Sequence, residues 1–332
     1  MKKISLMNIE SVYTANAFVS GGRTLVGAGS ETTPAVYLQD LTTGESSLVA
    51  DCPGGVMSFV PVPEHEDVYF SVMGLFPGFQ GLEAGIHMHV YSEGKWTTRK
   101  VFDLPFAHRC DVVRRDGKNY LFAVSCSRHK DSPADWSRAG DIYVMELDET
   151  SCEPGEAVLV DSGIFRNHGM LKLDGQLYVS GAEGIFRLEL TDGKWSCVRL
   201  FDREVSEFGF VDLDGDGQEE LATIEPFHGE NLRLYRKEDG VWVEKFCHHI
   251  SFGQGLSCGM LNGKPVVVTG NRRGSFTLDL IRVNDLSKGD CSVEQIEQEA
   301  GPTQTQVLNI NGKDCILSAN QKRNEVAIYT ED

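Results

Sequence analysis

Repetition restricts this chain more than any other feature. Five stretches follow one pattern: "FAHRCDVVRRDGKNYLFAVS", "FRNHGMLKLDGQLYVSGAEGIFRLELTDGKW", "VSEFGFVDLDGDGQEELATIEPFHGENLRLYRKEDGVW", "GQGLSCGMLNGKPVVVTGNRRGSFTLDLIRV" and "TQTQVLNINGKDCILSANQKRNEVAIYTED". A polar or glycine-containing lead-in runs into a short apolar strand, an Asp-Gly or Asn-Gly turn and a second apolar strand. A polar loop and a third, alternating strand follow. Two weaker copies precede these, "NAFVSGGRTLVGAGSETTPAVYLQDL" and "GGVMSFVPVPEHEDVYFSVMG…GIHMHVYSEGKW". Helical periodicity is nearly absent, and the Asp-Gly, Asn-Gly and Gly-Gly turns are those of antiparallel hairpins.

About seven units, spaced by roughly 45 residues, match the period of propeller blades. The expectation is an all-β chain: a seven-bladed β-propeller of four-stranded antiparallel blades, occupying residues 1–332 as a single domain. The N-terminal "KKISLMNI" is expected to complete the last blade beside "EVAIYTED", which removes a sheet edge.

The formal net charge of −18 over 332 residues repels phosphate backbones and anionic lipid, so neither nucleic acid nor a membrane surface is an expected partner. No apolar run approaches a membrane span, and "MKKISLMNIESVYTANAFV" lacks a continuous signal-peptide core. Nine cysteines without a C-x-x-C pair read as reduced, mostly buried thiols in a cytoplasm. No nucleotide-binding fingerprint occurs, so no nucleotide cofactor is expected. Oligomeric state is left open.

In an up-and-down blade, the lead-in to the first strand and the loop from second to third strand lie at one end. The lead-ins bring His108, Arg109 and Asp111, then Arg166, Asn167 and His168, then Glu207, Gln254, Gln304 and Gln306 toward one funnel. The second-to-third loops add Glu225, His228, Arg128, His129, Lys130, Glu183, Asn271, Arg272, Arg273, Asn320, Gln321 and Lys322. Two of these loops are enlarged, "GLFPGFQGLEAG" and "HKDSPADWSRAG", and carry Phe76, Phe79 and Trp136 as possible pocket walls.

His108, His168 and His228 come from three blades and are candidate ligands for a divalent metal, Zn²⁺ or Mn²⁺ first and Mg²⁺ next. The other reading is three unrelated histidines with local partners. Glu207, Glu225, His108 and His129 are the candidate proton carriers. "DLDGDGQEE" offers Asp212, Asp214, Asp216 and Glu220 as hard-oxygen ligands for a structural Ca²⁺, although Asp and Gly also simply make turns. His87 and His89, and the "CHH" of Cys247, His248 and His249, read as structural or solvated histidines.

The stretch "DLDGDGQEELATIEPFHGENLRLY" resembles the FG-GAP/VCBS propeller repeat. Together with "PFAHRCD", its "IEPFHG" resembles the propeller of the aldos-2-ulose dehydratase (1,5-anhydro-D-fructose dehydratase) family, without that family's extra C-terminal β domain. The resemblance implies a metal-dependent lyase acting on a keto-sugar, with His108 and His228 as carried-over metal or catalytic positions. Arg109, Asn167, Gln254, Arg272 and Gln304 would then contact a small carbohydrate. The alternatives are a non-catalytic propeller binding a glycan or protein, and a metal-dependent sugar hydrolase or epimerase.

Overall fold

A computed structural model describes residues 1–76 and 81–331; Phe79 lies outside the described residues. The chain is all-β, and its strands form seven four-stranded antiparallel sheets in which sequential strands are neighbours. This is the expected seven-bladed β-propeller class. Contacts divide the chain into two compact units, residues 13–202 and residues 1–12 with 203–332.

The first unit holds four blades. Blade 1 is Val12–Ser20, Arg23–Ser30, Val36–Asp40 and Ser46–Ala50, and blade 2 is Ser58–Val62, His65–Met73, Gly85–Ser92 and Lys95–Asp103. Blade 3 is Ala107–Arg115, Lys118–Ser125, Gly140–Glu146 and Val158–Ile164; blade 4 is Gly169–Leu173, Gln176–Gly181, Gly184–Thr191 and Lys194–Phe201.

The other unit holds three. Blade 5 is Glu207–Val211, Glu220–Glu225, Asn231–Glu238 and Val241–His249, and blade 6 is Gly253–Leu261, Lys264–Asn271, Leu278–Asp285 and Asp290–Glu297. Blade 7 is Pro302–Ile310, Lys313–Asn320 and Glu325–Thr330, with Lys2–Asn8 as its outer strand. Lys2 pairs with Thr330 and Ile4 with Ile328, so the N-terminal strand does close the last blade.

The hairpins form where the dipeptides predict. Asp116-Gly117, Asp174-Gly175, Asn262-Gly263 and Asn311-Gly312 all have positive φ at both positions, as a type I′ turn requires. Between these turns, alternate side chains of the second and third strands interdigitate with the next blade. Phe122, Val124, Ile142 and Ile164 meet Leu177, Val179 and Leu188 in one such layer. Ile224, Leu232 and Leu234 meet Val267 and Ile281 in another.

The blade 2 histidines belong to this packing and are buried rather than solvated. His89 Nε2 lies 2.7 Å from the Ser71 hydroxyl and its Nδ1 lies 2.8 Å from the Thr98 hydroxyl. Burial pulls His89 down to about 3 and His87 down to about 4. Both are therefore neutral in the fold, but in the unfolded chain they take up a proton near pH 6.5. A depressed histidine contributes stability that is complete above pH 6.5 and lost as pH falls toward 4. At pH 5 the loss should be about 2 kcal/mol per histidine. Urea unfolding at pH 7 and pH 5 checks this: His89→Gln should flatten the pH dependence, and an unchanged slope would contradict it.

Candidate functional site at the inner ends of the blades

In blades 3, 4, 6 and 7 the lead-in and the second-to-third loop are joined by the backbone. Cys126 N–H donates to Phe106 O at 3.0 Å, Ala182 N–H to Phe165 O at 2.8 Å, Arg272 N–H to Phe252 O at 3.0 Å and Gln321 N–H to Gly301 O at 3.2 Å. The expectation that these segments share one end of the blade therefore holds in each of these four blades.

The lead-ins share a further device. Ser11, Gly55, Phe106, Arg166, Phe252 and Gly301 all have positive φ, and each stands two residues before a residue in, or immediately preceding, the inner strand of its blade. Those positions are Tyr13, Met57, His108, His168, Gln254 and Thr303, all buried. Ser11, Phe106, Arg166 and Phe252 adopt this region without being glycine, which costs each of order 1–2 kcal/mol. At Gly55 a side chain is impossible, because an added Cβ would stand 2.2 Å from the Phe76 nitrogen.

In blades 3, 6 and 7 the register then slips, between Ala107 and Arg109, Gly253 and Leu256, and Pro302 and Gln304. Such bulges re-aim side chains beside functional sites. Here they fall at His108, Gln254 and Thr303.

In the four-blade unit the device brings predicted residues together. The His108 and His168 ring centroids are 4.2 Å apart with planes inclined by 34°. The Tyr13 hydroxyl and His108 Nε2 share a 3.2 Å hydrogen bond. Arg109 donates to Met57 O at 2.8 Å, and its guanidinium carbon lies 6.0 Å from the Tyr13 ring centroid. Asn167 is completely buried, and among the described residues no group pairs with either atom of its amide. Tyr13 was missed from sequence because the blade 1 lead-in, "ESVYT", looks like ordinary strand; the register position shared with His108 is the signal that finds it.

The opposite side of each imidazole matters for metal binding. Among the described residues, the three-carboxylate set Asp212, Asp214 and Asp216 is the one group of three or more His, Cys, Asp or Glu whose ligand atoms all lie within 4.8 Å. The His108–His168 pair alone falls short of the three protein ligands of a catalytic zinc site. His228 belongs to the three-blade unit. There its φ is +45°, its ring stacks on Phe252 at 4.7 Å and 12°, and Phe227 lies 4.2 Å away.

The carboxylate of "EPFHG" turns inward. Glu225 is buried and accepts hydrogen bonds from the Thr223 hydroxyl at 2.7 Å and the Tyr235 hydroxyl at 2.8 Å. Arg203 lies 3.0 Å and Arg233 3.5 Å from its other oxygen. The equivalent positions in the next two blades do the same. Asn271 donates to Thr277 and Asp279, and Asn320 accepts from Ser318 and donates to Tyr329. Three residues placed over the funnel by topology thus serve as clamps between the strands of their own blades.

The remaining predicted residues divide similarly. Glu207 opens the inner strand of blade 5 and is half-buried, as is Gln304 in blade 7. Arg272 donates to Gln254 at 2.6 Å and also to Gln321, while Arg273 lies over Phe252 at 4.5 Å. His129 is exposed, with Nε2 3.0 Å from Asp131. Trp136 and Phe76 pack on the core of blades 2 and 3, and Lys130 stands 3.2 Å above the Trp136 ring.

In the acidic loop, Asp212 accepts from Gly215 and Gly217 N–H, while Arg236 pairs with Asp214 at 3.3 Å and Asp216 at 2.6 Å. Glu220 is turned inward and accepts from Leu213 N–H at 2.7 Å. Burial, followed by the neighbouring aspartates, pushes its carboxyl up to about 7.

No protein-family profile and no curated protein matches the chain, so the likeness to the FG-GAP/VCBS and dehydratase propellers rests on the motifs quoted above. Solved structures do match. One is from a crystal structure of the mitotic checkpoint complex, at 12% identity and TM-score 0.60, covering 100% of this chain and 91% of that one. A Bacteroides uniformis protein provisionally named a 6-phosphogluconolactonase matches at 11% identity and TM-score 0.57, over 97% of this chain and 92% of that one. An auxiliary nutrient-binding protein from Bacteroides thetaiotaomicron matches at 10% identity and TM-score 0.56, over 97% and 69%. No helix among the described residues is long and apolar enough to cross a membrane. At such low identity, and with such different neighbours, the comparisons give one conclusion: the chain has the seven-bladed β-propeller fold.

Proposed function

We propose that the inner ends of blades 3 and 4 bind a small carbohydrate, and that elimination from a keto-sugar is the reaction this site suits. Asn167 carries the reading. Its amide is fully buried with no partner at either atom among the described residues, and each such group left unsatisfied costs about 1–3 kcal/mol. An amide offers one acceptor and two donors, a set that neighbouring sugar hydroxyls match.

The adjoining imidazoles supply proton transfer. Histidine is the side chain whose charge changes near neutral pH, and the His108–His168 contact places two rings side by side. In the elimination, one imidazole takes the proton next to the carbonyl and the C–H electrons form the C=C bond. The C–O bond to the β-hydroxyl breaks, and that oxygen leaves as water with a proton from the second imidazole. Tyr13 holds the His108 ring in place through its hydroxyl.

The product, an α,β-unsaturated ketone, absorbs in the near ultraviolet. Across a panel of keto-sugars we expect an absorbing product from one class, and a rate loss of roughly 10²-fold or more in His168→Ala. Saturable sugar binding with no product from any member would reduce the site to a binding site.

The acidic loop fits a hard cation. Asp212, Asp214 and Asp216 would hold calcium through carboxylate oxygens, adding positive charge to a turn where the Arg236 guanidinium pairs with Asp214 and Asp216. Calcium at ~100 times its dissociation constant should stabilise the fold by about 2.7 kcal/mol, an effect lost in Asp214→Ala. A thermal midpoint indifferent to millimolar calcium would show that Arg236 suffices.

A further inference from the structure

Away from the inner strands, a second cavity opens where the enlarged blade 3 loop meets the lead-in of blade 4. It has a volume of about 560 Å³ and is lined by Arg128, His129, Ser137, Arg138, Ala139 and Phe165. Three of these six side chains are basic, in a chain whose net charge is −18.

Each of the three basic residues has an acidic neighbour, Asp131 beside His129, Asp141 beside Arg128 and Asp135 near Arg138. Asp135 accepts from Asp131 and Ser137 N–H at 3.0 and 2.9 Å, and these bonds hold the loop closed. Asp131 pairs with His129. Glu183 accepts from Phe165 N–H at 2.9 Å. Asp141 comes no closer than 3.9 Å to the Arg128 guanidinium. The Arg138 guanidinium has no ion pair or hydrogen bond among the described residues. Beneath the loop, the single Ser127 hydroxyl lies within hydrogen-bond reach of both His129 O at 2.8 Å and Arg138 O at 3.1 Å, so one buried O–H serves either end of the basic segment.

We infer that this cavity is an anion-binding site, in which Arg128 and Arg138 grip a phosphate or carboxylate group of a small ligand against the Phe165 wall. Guanidinium groups present planar pairs of donors that match the oxygens of such anions. Phe165 gives the ligand's apolar part a surface, the mixture of apolar wall and few polar groups usual in small-molecule sites. The inference stands on this cavity alone and does not depend on the carbohydrate reading.

The test is titration of the whole chain with inorganic phosphate and, separately, with acetate, followed by NMR at low ionic strength. Saturable shifts confined to residues of the blade 3 loop and Phe165 are expected, with affinity reduced roughly tenfold or more in Arg138→Ala and again in Arg128→Ala. Saturation by phosphate alone would assign a phosphate group, and saturation by acetate as well would assign carboxylates. The variants lie on an exposed loop, so their unchanged unfolding midpoints serve as the folding control. Absence of saturable shifts with either anion, or binding equally tight in both variants, would overturn the inference.

Discussion

Glu225→Ala is expected to destabilise the fold by about 2–4 kcal/mol, the cost of leaving two buried hydroxyls without their acceptor. The substitution strands the Thr223 and Tyr235 hydroxyls, which now donate to one carboxylate oxygen, and leaves Arg233 with Glu244 as its remaining carboxylate partner. Burial and hydrogen bonding to Glu225 already raise the Tyr235 phenol well above its ordinary value, so this hydroxyl stays a donor at any workable pH.

Tyr235→Phe removes only the donor and should cost about 1 kcal/mol. Combining the two substitutions should cost less than their sum, with a coupling of 0.5–3 kcal/mol typical of contacting residues. Urea unfolding measures all three. If Glu225→Ala left stability within about 0.5 kcal/mol of the parent, Glu225 would not be a clamp, and its sequence-based role as a proton carrier would return.

The second large effect has the opposite sign. Asn167→Leu keeps the shape of the side chain while removing two buried polar atoms that no group among the described residues satisfies. The ligand-free fold should gain about 1–2 kcal/mol, because the desolvation cost of the amide disappears. The same variant should lose sugar binding. Stability gained at the expense of function is the usual sign of a residue kept for its ligand. Asn167→Ala serves as a second variant: it should also abolish binding, with its stability set by the small cavity it leaves. Destabilisation by both variants with binding intact would identify Asn167 as a structural residue.

The fold was legible because its signals are local. Asp-Gly and Asn-Gly pairs dictate turns with two positive φ values, and the alternating runs between them have only one way to bury their apolar side chains. The placement of lead-ins and loops at one end of the blade follows from strand order alone.

Side-chain direction was not legible in the same way. Glu225, Asn271 and Asn320 stand at loop margins, where a polar residue ordinarily faces solvent. Partners on the neighbouring strand, Tyr235, Asp279 and Tyr329, draw them inward, and those partners are adjacent only once the register is known. The left-handed residues at Phe106, Arg166 and Phe252 carry no glycine to announce them. The turn that aims His108, His168 and Gln254 was therefore invisible, and with it the equivalence of Tyr13. The blade 3 cavity was half legible: the loop's length and its arginines were seen, but Phe165 joins it from the next blade.

The central claim is that Asn167, His108 and His168 form a ligand site rather than a packed corner. The most direct measurement is isothermal titration of wild-type protein and Asn167→Leu with a panel of neutral keto- and aldo-sugars, with the imidazole NMR signals of His108 and His168 followed in parallel. The account predicts saturable binding of at least one sugar class by the wild type, perturbation of both imidazoles, and no binding by the variant. Wild-type protein that binds no sugar, or a sugar bound equally well by Asn167→Leu without moving either imidazole, would contradict it.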